Sequence, residues 1–221
     1  MELAARPPLS FIVEGHGEYE SYPSIVASVL GITGLHVPIL NARGVGGIIS
    51  DLEQHLDDLV TLHHPFGVVV TLDLRDVLDQ GLYDTCAATR EDLMDRISEW
   101  AADRAGRSRF DPMPDHVGVV LQIQCLETWW MADPHALLGC GAFEFDVADC
   151  QWGCVDDDVS NPVAWLKQRA GQSANLKSPR LARAILGSAD VAVMRAASNS
   201  FDKFARDVTS IYQAWMAKLV A

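Results

Sequence analysis

The segment 66–72, Phe-Gly-Val-Val-Val-Thr-Leu, constrains the fold more than any other part of the sequence. A short apolar run rich in β-branched residues predicts a strand, and its lack of polar alternation predicts burial on both faces. Strands buried on both faces are typical of parallel sheets that helices cover. We therefore expect an α/β fold built around this strand.

Strand-like and helix-like segments alternate on both sides of this run. Strands are predicted at 9–14, 35–40, 66–72 and 116–124, and helices at 18–30, 48–62 and 91–105. This alternation predicts parallel strands joined by right-handed crossovers. The expected architecture is a mostly parallel four-stranded sheet flanked by helices, with Pro38 indicating an edge position for the second strand.

The pattern changes after residue 127, where helical spacing dominates. Helices are predicted at 126–131, 162–170, 179–186 and 200–219. The acidic stretch 140–160 is predicted to be a loop or an added hairpin. We expect an α/β domain over residues 1–135, and over 136–221 an acidic loop and helical extension that pack on the same domain.

The formal net charge of −13 disfavours binding to nucleic acid by simple electrostatics. A bound divalent cation would reverse the local sign, so a metal-dependent enzyme remains compatible with the charge. No stretch reaches 18 consecutive apolar residues, and we expect a cytoplasmic protein without a membrane span. The five irregularly spaced cysteines are interpreted as reduced thiols, with zinc binding as the alternative.

Acidic residues follow three of the predicted strands. Glu14 ends the first strand, Asp73 ends the Val-rich strand with Asp76 close behind, and Glu127 follows the strand at 116–124. The carboxyl ends of parallel strands meet at one edge of the sheet, where ligands bind. Each acid alone could be a solvated loop residue or a helix cap, but carboxylates buried together favour a cation such as Mg²⁺ or Mn²⁺.

The turn after the first strand carries a second acid. Gly15 and Gly17 allow a sharp bend before the helix. Glu18 lies in the first helical turn, where an anionic side chain is favoured, and where it would also approach Glu14. His16 is interpreted as an exposed turn residue rather than a ligand.

Basic residues and glycines suggest sites for phosphate. Arg43 precedes the glycine-rich turn 44–47, which is interpreted first as a turn and second as an anion or nucleotide site at the start of a helix. A loose basic patch in the second half of the chain would be the entry point for nucleic acid; it comprises Lys177, Arg180, Arg183 and Arg195.

Several segments resemble a known group of proteins. The run 13–18, Val-Glu-Gly-His-Gly-Glu, resembles the opening of Toprim domains, which occur in topoisomerases, primases and OLD-type nucleases. Segments 127–133, 175–179 and 197–204 are similar to later landmarks of a bacterial Toprim-like family related to OLD nucleases, some of whose members are encoded beside ATPase genes in phage-defence loci.

The resemblance implies a Mg²⁺- or Mn²⁺-dependent phosphoryl-transfer enzyme, a nuclease in a defence or toxin-like system. It implies that Glu14 is a general acid/base or the first metal ligand, that Asp73 is a metal ligand, and that Glu127 is a second ligand. Lys177 is implied to contact phosphate or the transition state, and Arg43 is a further phosphate candidate.

The chain departs from the Toprim pattern after its central strand. The expected Asp-x-Asp is replaced by Asp73-Leu74-Arg75-Asp76, so either Asp76 substitutes for the second aspartate or Arg75 contacts phosphate directly. The alternative hypothesis follows from this departure: a catalytically degenerate Toprim-like scaffold that binds an ATPase partner. Oligomerisation is compatible with either hypothesis.

Overall fold

The computed structural model describes residues 5–107, 113–172 and 174–220. Its centre is a four-stranded parallel sheet with the strand order β2-β1-β3-β4. The strands are β1 (Leu9–Val13), β2 (Ile39–Asn41), β3 (Gly67–Asp73) and β4 (His116–Gln122). The α/β class, the parallel sheet, the flanking helices and the helical C-terminal extension predicted from the sequence are confirmed.

Helices connect the strands and then continue to the end of the described chain. They are α1 (His16–Leu30), α2 (Val45–Ser50), α3 (Leu52–His63), α4 (Leu74–Asp79), α5 (Cys86–Arg107), α6 (Leu126–Met131), α7 (Pro134–Gly139), α8 (Val155–Asp158), α9 (Pro162–Arg169), α10 (Pro179–Ser188), α11 (Val191–Ala197) and α12 (Asn199–Leu219). None of the described helices is both long and apolar enough to cross a membrane.

The two faces of the sheet bury two separate hydrophobic cores. Alternate residues of β1 and β3, such as Phe11 and Val69, join α1, α6, α10 and α12 in the first core. Their neighbours, such as Ile12 and Val70, join α3 and α5 in the second. Residues 67–72 are buried throughout, which confirms the burial predicted from the Val-rich run.

The second strand lies at one edge of the sheet, as Pro38 indicates. β2 begins one residue after Pro38 and pairs with β1 alone among the described strands. The Pro38 carbonyl still accepts a hydrogen bond of 3.0 Å from the Phe11 N–H, so the proline joins the sheet through its acceptor.

The single helix predicted at 48–62 is wrong, because two helices occupy this region. Asp51 leaves the helical conformation with φ −120° and ψ 24° and separates α2 from α3. Ile48, Leu52 and Leu56 nevertheless reach the same core, so their spacing could not reveal the break. At Gly47 a Cβ atom would lie 2.2 Å from the Ala42 carbonyl oxygen, so this close approach of α2 to the backbone at Ala42 requires glycine.

The acidic stretch 140–160 forms short helical turns within a loop. A 3₁₀ turn spans Val147–Asp149, and α8 contains the aspartates of the run 156–158. The predicted alternative of a hairpin is wrong for this stretch, whose one described pairing is an isolated bridge between Phe143 and Ala170. The sequence pattern also missed α4, α7 and α11, which are six or seven residues long and too short to show helical periodicity.

Candidate functional site

The carboxyl ends of the strands deliver four acidic side chains to one cleft. Glu14 directly follows β1, Asp73 ends β3, and Glu127 lies in the first turn of α6, beyond β4. Together with Glu18 of α1 they line a cleft of about 510 Å³. The predicted meeting of carboxylates at this edge therefore occurs in the folded chain.

Glu14 is held over the end of β3 by backbone hydrogen bonds. The Asp73 N–H donates to its Oε2 at 3.1 Å, and the Gly44 N–H donates to its carbonyl oxygen at 2.8 Å. Burial raises the pKa of Glu14 to about 8; the Asp73 N–H opposes this rise, and the charges of Asp76 and Glu18 add to it. Near neutral pH this carboxyl group can therefore gain or lose a proton.

Glu18 is buried, although its position in the first turn of α1 would by itself allow an exposed side chain. Its residue surface is 5% exposed, and its Oε2 lies 3.2 Å from the point where a Cβ on Gly15 would be. Burial raises the pKa of Glu18 to about 7, and the charge of Glu127 adds to the rise. The side chain therefore belongs to the acidic cluster as well as to the first turn of α1.

Asp73 carries the least satisfied carboxylate of the cleft. Its Oδ1 is buried and has no hydrogen-bond partner among the described residues. Burial raises the pKa of Asp73 well above its usual value, and the charges of Glu18, Glu14, Glu127 and Asp76 raise it further, in that order. A buried carboxylate oxygen without a donor is costly, and a cation would relieve that cost.

Asp76 and Arg75 take different directions from the start of α4. Asp76 lies close enough to Glu14 for its charge to raise the Glu14 pKa. Arg75 forms an ion pair with Asp79, with Nε and Oδ2 3.5 Å apart, and it is not among the described residues that line the acidic cleft. Of the two residues proposed for the missing aspartate position, the fold brings Asp76 to the cluster.

Lys177 lines the same cleft as the carboxylates. It belongs to the loop before α10, whose backbone is fixed by a 3.0 Å hydrogen bond from the Lys177 N–H to Asn175 Oδ1. The side chain is exposed, and no ion pair to Lys177 occurs within the described ranges. It is thus available to a bound anion.

Arg43 does not line the acidic cleft. It lines an adjoining hollow of about 530 Å³ with Asn41 and Tyr19, and His16 lines both spaces. The segment 44–47, interpreted first as a turn and second as an anion site, donates one hydrogen bond within the protein, from the Gly44 N–H to the Glu14 carbonyl oxygen. This hydrogen bond fixes the backbone of Glu14.

Carboxylate oxygens are the ligands that Mg²⁺ and Mn²⁺ prefer, so the chemistry of the cluster fits such a cation. The unpartnered Oδ1 of Asp73 points to the same fit. In the conformation described for residues 5–107, 113–172 and 174–220, however, no three His, Cys, Asp or Glu side chains are gathered closely enough to hold a metal ion. Glu14, Asp73 and Glu127 would have to draw together around it.

A buried polar network beneath the cluster was missed by the sequence analysis. The Tyr22 hydroxyl donates to Thr71 Oγ1 at 3.1 Å and accepts from Gln122 Nε2 at 3.2 Å. Burial raises the pKa of Tyr22 well above its usual value, and the charge of Glu18 adds to this. The signal was present as Thr71 and Gln122, two polar residues inside otherwise apolar strands.

Two of the segments that carry the family resemblance, 127–133 and 197–204, contact each other. Trp129 Nε1 donates to Ser200 Oγ at 2.9 Å, and the Ser200 N–H donates to the buried Asp156 at 2.7 Å. Trp129 also packs against Phe204, with ring centroids 5.0 Å apart. Asp133 caps α7 and accepts the Asp190 N–H at 2.8 Å. These contacts fix the helix that carries Glu127 onto the C-terminal helices.

No family model matches the chain, and no curated protein matches it. Among solved structures, the C-terminal region of the Burkholderia pseudomallei OLD protein is similar, with a TM-score of 0.47 and 18% sequence identity. The match covers 95% of this chain and 98% of that chain. OLD-type nucleases are also among the proteins that the segment 13–18 resembles in sequence.

Proposed function

We propose that this protein is a Mg²⁺- or Mn²⁺-dependent phosphodiesterase that cleaves nucleic acid. The observation that carries the proposal is the buried, unpartnered Oδ1 of Asp73 within a cluster of carboxylates from three strand ends. Like charges crowded in a cleft are stabilised most by a cation. The resemblance to Toprim domains and OLD-type nucleases points to a phosphodiester as the group that this cation would meet.

In this proposal Asp73 and Glu127 hold the cation, and Asp76 supports it from the start of α4. The bound cation would neutralise phosphate charge and activate water. Glu14 either serves as a further ligand or manages a proton, for which a pKa near 8 is well placed. Lys177, an exposed residue that lines the same cleft, would stabilise negative charge that develops on the phosphate.

A cleavage assay with DNA and RNA substrates in Mg²⁺ and in Mn²⁺ tests the proposal. We expect Glu14→Gln to lose activity, because glutamine can neither transfer a proton nor bind a hard cation well. Glu99→Gln is the matched control, since Glu99 is exposed on α5 and does not line the acidic cleft. Equal activity of the Glu14→Gln variant and the wild-type protein would contradict the proposal.

Binding of Mn²⁺, measured by electron paramagnetic resonance, tests the metal site separately from catalysis. We expect the wild-type protein to bind Mn²⁺ and Asp73→Asn to bind it more weakly, because the substitution removes a charged oxygen ligand. Unchanged binding in the Asp73→Asn variant would place the cation elsewhere.

A second candidate function is a non-enzymatic scaffold that docks on an ATPase. Two observations favour it: Arg75 is paired with Asp79, and the described carboxylates are not gathered into a closed ligand set. Co-purification with an ATPase that survives Glu14→Gln, combined with no cleavage in any metal, would support the scaffold. Metal-dependent cleavage by the isolated chain would contradict it.

A further inference from the structure

A second cavity lies on the flank of α1, away from the acidic cleft. It has a volume of about 440 Å³ and is enclosed by α1, the segment that leads into β2, the end of α3, and α10. We refer to it as the basic cavity, for its lining residues His36, His63 and Arg183. None of these three residues lines the acidic cleft.

Each of the three basic side chains comes from a different element of the fold. His36 precedes β2, His63 ends α3, and Arg183 lies in the middle of α10. The rings of His36 and His63 meet edge to face with centroids 6.4 Å apart. In a chain with a formal net charge of −13, a cavity lined by one arginine and two histidines, with Glu20 as its acidic residue, is far less negative than the rest of the protein.

The basic groups are poorly neutralised from within the protein. Glu20 is the acidic residue in the cavity lining, and its Oε2 lies 4.0 Å from Arg183 Nη1. Both side chains are about half exposed, 55% for Arg183 and 42% for Glu20, so this pair contributes little. The guanidinium group therefore keeps most of its capacity to bind an anion.

The wall of the basic cavity also supplies hydroxyl donors and a path to the acidic cleft. Ser24 and Tyr19 of α1 line it, and Tyr19 is 41% exposed. Tyr19 also lines the hollow that contains Arg43, and His16 connects this hollow to the acidic cleft. The basic cavity, the hollow and the acidic cleft are therefore neighbours along the first half of α1, with Tyr19 and His16 shared between successive spaces.

We propose that the basic cavity binds a phosphate group through Arg183, His36 and His63. A guanidinium group offers paired donors that match phosphate oxygens, and imidazole and hydroxyl groups complete the donor set. The phosphate belongs either to a nucleic-acid strand that continues into the acidic cleft, which rests on the proposed function, or to a free phosphate. Both sources use the same contacts.

Binding should strengthen as the pH falls. Burial and the nearby His36 and His64 lower the pKa of His63, so an anion must draw a proton onto its ring. The other ionisable groups on the cavity wall are Glu20 and Tyr19 from α1 and Arg183 from α10. Glu20 is the group that would compete with the ligand for Arg183.

Calorimetric titration of the full chain in EDTA tests the cavity without any contribution from a metal. Inorganic phosphate and a single-stranded oligonucleotide are the two probes. We expect saturable binding and at least about tenfold weaker affinity for Arg183→Ala and His63→Gln, which corresponds to one lost charged contact. Arg90→Ala, a change at an exposed arginine of α5 that does not line the basic cavity, should bind as the wild type does.

The two probes separate the two sources. Competition between oligonucleotide and phosphate identifies a nucleic-acid strand as the ligand, and phosphate binding without competition identifies a free phosphate. The oligonucleotide, whose diester charge is constant between pH 6 and 8, should bind more tightly at pH 6. The proposal is overturned if neither probe saturates, or if Arg183→Ala and Arg183→Lys both bind like the wild type while their melting temperatures are unchanged.

This experiment also separates the basic cavity from the proposed activity. Glu14→Gln should still bind inorganic phosphate in EDTA, because Glu14 does not line the basic cavity. Binding without cleavage in any metal would reject the phosphodiesterase and leave the cavity standing. If the protein cleaves nucleic acid but Arg183→Ala does not weaken binding, the phosphodiesterase stands and the phosphate site in the basic cavity is rejected.

Discussion

The acidic cleft and the basic cavity lie along the same helix, α1, but the cleft is lined mainly by acidic side chains and the cavity by one arginine and two histidines. The N-terminal turn of α1 contributes Glu18 to the cleft, and the following turns contribute Tyr19, Glu20 and Ser24 to the cavity wall. Burial shifts the pKa of Glu14 and Glu18 upward and that of His63 downward, so each place favours the neutral form of its groups. Each would gain most from a ligand of opposite charge.

The two places also differ in how firmly their residues are held. The acidic side chains rest on strand ends and on the buried Tyr22–Thr71–Gln122 network. The basic side chains come from a loop, a helix end and an exposed helical position. Firmly held side chains suit the proposed cleavage in the acidic cleft, because catalytic groups must be placed to within fractions of an ångström. Less firmly held side chains are sufficient for the proposed binding of phosphate in the basic cavity.

The largest effect on activity should come from removing Lys177, the lysine that lines the acidic cleft. We expect Lys177→Ala to lower kcat by about a hundred- to thousandfold, the cost of removing one group that stabilises transition-state charge. Lys167→Ala, an exposed lysine on α9, is the control. A change of less than threefold for Lys177→Ala would mean that the acidic cleft works without Lys177.

The acidic cleft and the basic cavity should change the stability of the metal-free protein in opposite directions as the pH rises. The folded pKa values of Glu14 and Glu18, about 8 and about 7, lie above the unfolded value of 4.5, so their contribution is full below pH 4.5 and is lost as pH rises through 7 and 8. The lowered pKa of His63 acts in reverse, since its contribution is present above the unfolded value of 6.5 and is lost as pH falls.

The two acids have the larger shifts, so we expect the melting temperature to fall between pH 5.5 and 8.5. The pKa values of about 8 and about 7 correspond to a loss on the order of 5 kcal/mol over this range, with each kcal/mol worth about 2–4 °C in a chain of this size. Scanning calorimetry should show a smaller fall for Glu14→Gln and for wild-type protein with Mn²⁺, and an unchanged fall for Glu99→Gln. A flat profile in the wild-type protein would contradict the burial of these charges.

The smallest effect should come from the hollow between the two places. Arg43→Ala is expected to weaken oligonucleotide binding only about two- to threefold and to reduce the salt dependence by about one charge, because a single exposed contact to phosphate is lost. Titrations at several salt concentrations measure both quantities. No change in the salt slope would show that the cleft and the cavity bind separate ligands.

Much of the acidic cleft could be predicted from the sequence. The Val-rich run 66–72 required burial on both faces, hence a parallel sheet, and parallel strands bring their carboxyl ends to one edge. The positions of Glu14, Asp73 and Glu127 after three strands followed directly. Local periodicity and chain direction determine these features, so they can be deduced without tertiary contacts.

Only the tertiary structure decided the rest. The break at Asp51, the burial of Glu18 and the pairing of Arg75 with Asp79 depend on how elements pack, and apolar spacing does not record packing angles. The same holds for the basic cavity: His36, His63 and Arg183 are far apart in the chain and carry no shared pattern. The sequence by itself determined which residues end the strands, and packing decided which distant side chains face one another, because only the folded chain brings them within reach.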